Sequence, residues 1–190
     1  VIGEALNAIS AKLDQAALTD LNRQVTVDGK AAADVAAAWV DAQGFSFSGG
    51  SGQVTVGSTN FYEQEILGEI YAQVLEGAGI TVERKFQLGN REIVFPALES
   101  GEIDILAEYA ATVLEFVNKG AGEASTDPRA TVDKLNEHLA ASGLVALEPA
   151  SATDQNGRKR CQVEPSVPPP QPISGQRRIV LAERSFSRRR

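Results

Sequence analysis

Three short groups in the sequence, Ser58-Thr59-Asn60, Gly89-Asn90 and Glu108-Tyr109, each follow directly on a stretch with strand character: "QVTV", "TVERKFQL" and "IDILA". If those stretches pair as parallel strands, all three groups arrive at one edge of the sheet. That edge lies outside the strand carboxyl ends, where open α/β sheets hold their ligands. A helix opening at Asn60 or Phe61 adds unpaired N–H groups and the positive end of a helix dipole, which suit an anionic group such as a carboxylate. An aromatic ring, Tyr109 at the strand end or Trp39 further upstream, suits a cation. The chemistry on offer is therefore binding. From spacing alone, plain N-capping also accounts for Ser58-Thr59-Asn60. A half-buried core position accounts for Tyr109, and packing within "VAAAWV" accounts for Trp39.

Catalysis has no comparable footing. The sequence holds no Walker loop, GxGxxG, GxSxG, HExxH or CxxC, and nothing places a nucleophile, a base and an orienting group together. The chain is accordingly read as non-enzymatic, with no catalytic residue, metal site or cofactor. His138, between Leu135 and Leu139 on a helical pattern, reads as a surface or boundary histidine. Glu63, Glu65 and Glu69 crowd the first two turns of a helix, where the dipole favours acids.

The elements that must position these groups follow from apolar periodicity. Leu6, Ile9 and Leu13 share one helical face, Leu18 and Leu21 continue in a second short helix, and an Ala-rich third helix over 31–43 carries Val35 and Trp39 and stops at Gly44. "FSFSGGSGQ" then reads as a flexible Gly/Ser linker over 45–52. Beyond it the order becomes strand, helix, strand, helix, strand. The first of these helices has an apolar stripe of Ile66, Leu67, Ile70, Tyr71, Val74 and Leu75. The second has Asn90 at its start and Pro96 inside it, where a kink is expected. A βαβαβ unit with right-handed crossovers makes a parallel sheet flanked by helices. Asp127, Pro128 and Gly143 then bracket a further helix, and "LVALEPA" supplies a fourth strand.

Charge divides the chain in two. The net charge is −7. Residues 158–190 hold nine Lys/Arg against Glu164 and Glu183, which is +7, so residues 1–157 carry −14. An acidic body argues against nucleic acid as a partner. The tail over 157–190, basic and carrying five of the eight prolines, is expected to lack regular structure beyond about Asn156. Such a tail could touch RNA or anionic lipid; a solvated or non-native tail is the simpler account. The single cysteine, Cys161, forms no internal disulfide framework.

"VTVGSTNFYEQEILGEIYAQVLEGAG" together with "LGNREIVFPALESGEIDILAEYAAT" resembles the substrate-binding proteins of osmoprotectant ABC importers, which bind glycine betaine, choline or carnitine. The family pattern reads VGSKNFTEQ, an amphipathic helix, then LGS-x-ALxSGEIDLxPEYTGT, and the match spans roughly 53–156. The resemblance implies a type II periplasmic-binding-protein-like lobe in an extracytoplasmic protein that hands a quaternary-ammonium ligand to a membrane permease. It implies that Tyr109 is a cage tyrosine, that Thr112 is a carboxylate contact, and that Asn60 and Phe61 shape the pocket floor. Thr59 stands where many members have a lysine, which leaves choline-like cations as open as carboxylate ligands.

Residues 1–44 resemble the closing helices of the same family, so the family's end precedes its beginning here. This order fits a permutation or a tandem fusion, with 53–156 as the N-terminal lobe and the second lobe missing. After "ATDQNG" the family continues with an apolar strand, whereas "RKRCQVEPSVPPPQP" follows here, as a change of reading frame would produce. A ligand-sensing domain of a regulator or receptor shares this fold and is the alternative class.

Overall fold

The structure, a computed structural model, describes residues 1–152 and, in the tail, 178–183. Expectations that fall on the remaining tail residues, including Cys161 and the proline run, lie outside the described residues. Three helices open the chain: α1 (Ile2–Lys12), α2 (Gln15–Thr26) and α3 (Ala32–Gln43). Asp14 caps α2 by accepting from the Ala17 N–H at 2.8 Å, and Gly44 ends α3 in the left-handed conformation. Then follow β1 (Gln53–Gly57), α4 (Tyr62–Gly77), β2 (Thr81–Lys85), α5 (Arg91–Glu99), β3 (Ile105–Tyr109), α6 (Ala110–Val117), α7 (Pro128–Leu139), a 3-10 turn (Ala140–Ser142), β4 (Leu144–Ala146) and β5 (Arg178–Glu183).

The five strands form one sheet in the order β2-β1-β3-β5-β4. β1 pairs in parallel with both β2 and β3, as the βαβαβ pattern requires. β5 departs from the sequence reading. It inserts antiparallel between β3 and β4, pairing Tyr109 with Arg178 at one end and Leu144 with Glu183 at the other. Part of the tail expected to lack regular structure is thus a strand. The physical reason is a run of four apolar residues, Ile179 to Ala182, the composition of an inner strand, which the surrounding prolines and arginines obscure.

Helices cover both faces. On one side α1, α2 and α3 pack against α4, and their Leu6, Ile9, Leu18, Leu21 and Val35 join Ile66, Ile70, Tyr71, Val54, Val56 and Ile105 in a single apolar cluster. α4 is therefore buried around most of its circumference, and burial pushes the Tyr71 phenol far above its ordinary pKa. On the other side Val94, Leu98, Leu106, Val113, Leu114, Leu135 and Leu144 make the second cluster. Trp39 is half-buried, its ring centroid 5.8 Å from that of Phe45.

Residues 45–52 carry no helix or strand, yet they are held in place: Phe45 and Phe47 pack on the first cluster, and the Gly50 N–H donates to the Ala78 carbonyl at 2.9 Å. Two aromatic anchors distinguish this segment from a free Gly/Ser linker. α5 continues through Pro96 to Glu99. α6, which the sequence reading did not resolve, begins directly at the end of β3; its Thr112, Val113 and Val117 are β-branched and weaken the local helix signal.

Candidate functional site

β1 is followed by α4 and β2 on one side of it, whereas β3 lies on its other side. The strand order therefore reverses between β1 and β3, and the ligand crevice of such a sheet opens outside the carboxyl ends of those two strands. Ser58, Thr59 and Asn60 leave β1 at that point, and Tyr109 ends β3 there. Gly57 permits the close approach: a Cβ at this position would lie 2.4 Å from Ile103 Cδ1. Asp104, within the "SGEID" block, extends the ladder. Its N–H donates to the Thr55 carbonyl at 2.8 Å, while its Oδ2 accepts from the Thr55 N–H at 2.7 Å.

A web of backbone bonds fastens the first junction to the second. The Ser58 N–H donates to the Lys85 carbonyl (3.1 Å), the Leu88 N–H to the Ser58 carbonyl (3.2 Å) and the Asn60 N–H to the Gly89 carbonyl (2.9 Å). Ser58 Oγ accepts from the Gln87 N–H at 2.9 Å and donates to the Thr59 carbonyl at 3.0 Å. The turn needs left-handed backbone at Gln87 (φ 55°) and Gly89 (φ 136°). Ser58 is thus fully buried in scaffolding and presents nothing to a ligand.

The residues singled out from sequence differ in their setting. Thr59 is 4% exposed, and its Oγ1 has no hydrogen-bond partner among the described residues. Asn60 is exposed. Phe61, the N-cap of α4, is 64% exposed, so the helix opens one residue later than the sequence suggested. Tyr109 is half-buried and is the N-cap of α6, and Thr112 sits half-buried in that helix's first turn. The beginnings of α4 and α6 therefore flank the same edge.

Sequence reasoning missed the charged groups behind this edge. Glu108, one residue before the tyrosine, does not face the crevice: its side chain is 1% exposed and forms a two-bond ion pair with Arg91 (Nε–Oε1 2.8 Å, Nη2–Oε2 2.7 Å). The alternation of side chains along β3 sends Glu108 to the α5 face and Tyr109 to the α4 face. The helix dipole is not the whole account of the three acids on α4. Glu63 accepts from the Tyr109 hydroxyl and from Asn22 Nδ2, Glu65 accepts from Gln87 Nε2, and Glu69 pairs with Arg84 at 3.1 Å. The hydrogen bonds and charges of Glu76 first, and of Glu69, raise the Arg84 pKa well above its ordinary value. His138 lies away from the edge, its Nε2 2.6 Å from Glu123 Oε2. Among the described residues no group of three His, Cys, Asp or Glu side chains could hold a metal, and no helix is long and apolar enough to cross a membrane.

An open sheet with helices on both faces and its polar and aromatic groups gathered at the strand-order switch defines the lobe of a periplasmic-type solute-binding protein. Residues 52–155 match the OpuAC family, the substrate binding domain of ABC-type glycine betaine transport systems, and the chain belongs to that family. Among individual proteins, it is 37% identical over 105 residues to the glycine betaine-binding protein YehZ of Escherichia coli (strain K12). The alignment takes in 53% of this chain and 33% of that protein. The solved structure of apo YehZ from the same organism superposes with a TM-score of 0.50 at 34% identity, covering 54% of this chain and 37% of that one. The chain thus spans about a third of the length of the curated relative it matches.

Proposed function

We propose that this chain supplies one wall of the binding site in the solute-binding component of an ABC importer for quaternary-ammonium osmoprotectants such as glycine betaine or choline. In this reading residues 53–156 are the N-terminal lobe, residues 1–44 are closing helices of the same lobe in permuted or tandem-fused order, and an opposing lobe completes the site. The complete protein works outside the cytoplasm and presents its closed form to a membrane permease. Its task is capture and release, with no covalent step.

The observation that carries this reading is the edge itself. Tyr109 and Phe61 offer aromatic faces to a methylated cation, whose diffuse charge is attracted by ring quadrupoles. The N-terminus of α4 offers donors to a carboxylate or hydroxyl, and Thr112 stands in the first turn of α6 on the same edge. Thr59, whose hydroxyl is buried, reaches the ligand only after a side-chain or backbone shift. Asn60, exposed at the same junction, completes the set in this reading. Thr59 stands where a cationic side chain would grip a carboxylate, so choline and glycine betaine are discriminated here by a hydroxyl and a helix end.

One wall contributes little affinity, because a single exposed cation–π contact gives roughly 0.5–1 kcal/mol. Binding by this chain alone is therefore expected to be no tighter than the millimolar range, about 4 kcal/mol. Nuclear magnetic resonance titration with glycine betaine and with choline should shift the Phe61, Tyr109 and Thr112 signals together, and Tyr109→Ala should abolish the response. Shifts confined to the opposite end of the sheet, or micromolar binding that ignores Tyr109→Ala, would overturn the proposal.

A further inference from the structure

Asn22, Glu63 and Tyr109 are far apart in sequence, and one carboxylate joins them. Glu63, in the first turn of α4, accepts from the Tyr109 hydroxyl through Oε1 and from Asn22 Nδ2 through Oε2. Both contacts are partly buried and span 46 and 41 residues. Asn22 lies on α2, in the segment that precedes the sheet, while Tyr109 is the junction between β3 and α6.

We propose that Glu63 is a positioning residue for the Tyr109 ring and that Asn22 relays the placement of α2 to it. This rests on the reading of Tyr109 as a cation-facing ring. A tyrosine ring attached only at its Cβ can swing about two side-chain torsions. Fixing the hydroxyl at the far end removes that freedom before a ligand arrives, and the ordering cost is not charged against binding. A phenol donating to a carboxylate also forms a charge-assisted hydrogen bond, stronger than one to a neutral acceptor. The second Glu63 oxygen is held by Asn22, so the carboxylate cannot rotate without releasing Tyr109 or Asn22. Helix α2 thereby enters the construction of the ligand edge while contributing no contact to the ligand.

The test uses the full 190-residue chain carrying 13Cζ-labelled tyrosine, with Tyr109→Phe to assign the Tyr109 resonance and tetramethylammonium as a probe for the cation alone. Glu63→Ala should shift that resonance upfield, towards the position of exposed Tyr62, and weaken the probe's effect about two- to five-fold, the range of one exposed cation–π contact. Glu63→Gln, which keeps a neutral acceptor, should restore most of both. Asn22→Ala should move the Tyr109 resonance in a folded protein whose ligand-facing groups are untouched. A folded Glu63→Ala chain with the wild-type Tyr109 resonance would overturn the anchoring role. If that variant does not fold, a folded Glu63→Asp chain, whose shorter side chain withdraws the carboxylate from the hydroxyl, with the wild-type Tyr109 resonance would do the same. A wild-type Tyr109 signal that ignores tetramethylammonium would instead overturn the cation-facing reading, while the resonance comparison still decides whether Glu63 anchors the ring.

Discussion

Replacing Arg91 with methionine would leave the Glu108 carboxylate buried without its cationic partner. An uncompensated charge of this kind costs roughly 3–5 kcal/mol, so the urea midpoint should fall sharply. Replacing both residues by apolar ones of similar volume should recover most of the loss. Thr59 makes the opposite case. Its buried hydroxyl has no partner among the described residues, and an unmade hydrogen bond of that sort costs about 1–3 kcal/mol. Thr59→Val should therefore leave the chain as stable or raise its stability by about 1 kcal/mol in urea unfolding, within the same range, while weakening glycine betaine binding. A clear loss of stability would show that the hydroxyl is satisfied in solution and that the ligand edge lacks this donor.

Elements meet at a few positions where volume or capping decides the fit. Gly57→Ala puts a methyl group against Ile103 where β1 passes β3, an overpacking expected to cost about 1–3 kcal/mol. Adding Ile103→Val removes Cδ1, the nearest atom, and should restore part of that stability; no recovery would locate the strain in the backbone instead. The loop between α6 and α7 is tied by Glu123, which accepts from Asn118 Nδ2 at 2.9 Å and meets His138. These contacts, Asn118 first, hold the Glu123 carboxyl below its ordinary pKa. A depressed carboxylate contributes stability that is present above its unfolded pKa and lost as pH falls through its folded value. Glu123→Gln should accordingly lower stability at neutral pH, leave it little changed at acid pH where the native carboxyl is protonated, and so flatten the acid limb of the profile.

For the whole molecule the informative strand is β5. It supplies β3 with five paired positions and β4 with three, so among the described residues β4 joins the sheet only through it. Removing residues 178–183 should open the β3 edge, speed hydrogen exchange at the amides of Ile105–Tyr109 and lower the melting temperature. Unchanged protection on β3 would mean that the sheet closes without this strand. Its removal should also disturb Tyr109, whose backbone pairs with Arg178. A loss of ligand response on tail deletion would therefore report damage to the sheet, and would not by itself show that the tail binds RNA or lipid.

The sequence by itself determined the alternation of strands and helices, the parallel pairing of β1, β2 and β3, and the gathering of Thr59, Asn60 and Tyr109 at strand ends. These follow from apolar periods of two and 3.6 and from local caps such as Asp127, all within reach of a few neighbouring residues. The tertiary structure alone decided that Glu108 turns inward to Arg91, that Glu63 joins Tyr109 to Asn22, and that an apolar run inside a basic, proline-rich tail enters the sheet beside β3. A carboxylate near a helix N-terminus is favoured by the dipole whatever else it touches, so local sequence offers no sign of a donor arriving from 41 or 46 residues away. A four-residue apolar run likewise has no preferred neighbour until packing creates one. Periodicity fixes which face of an element is apolar, whereas the partner that the face meets depends on how the whole chain closes.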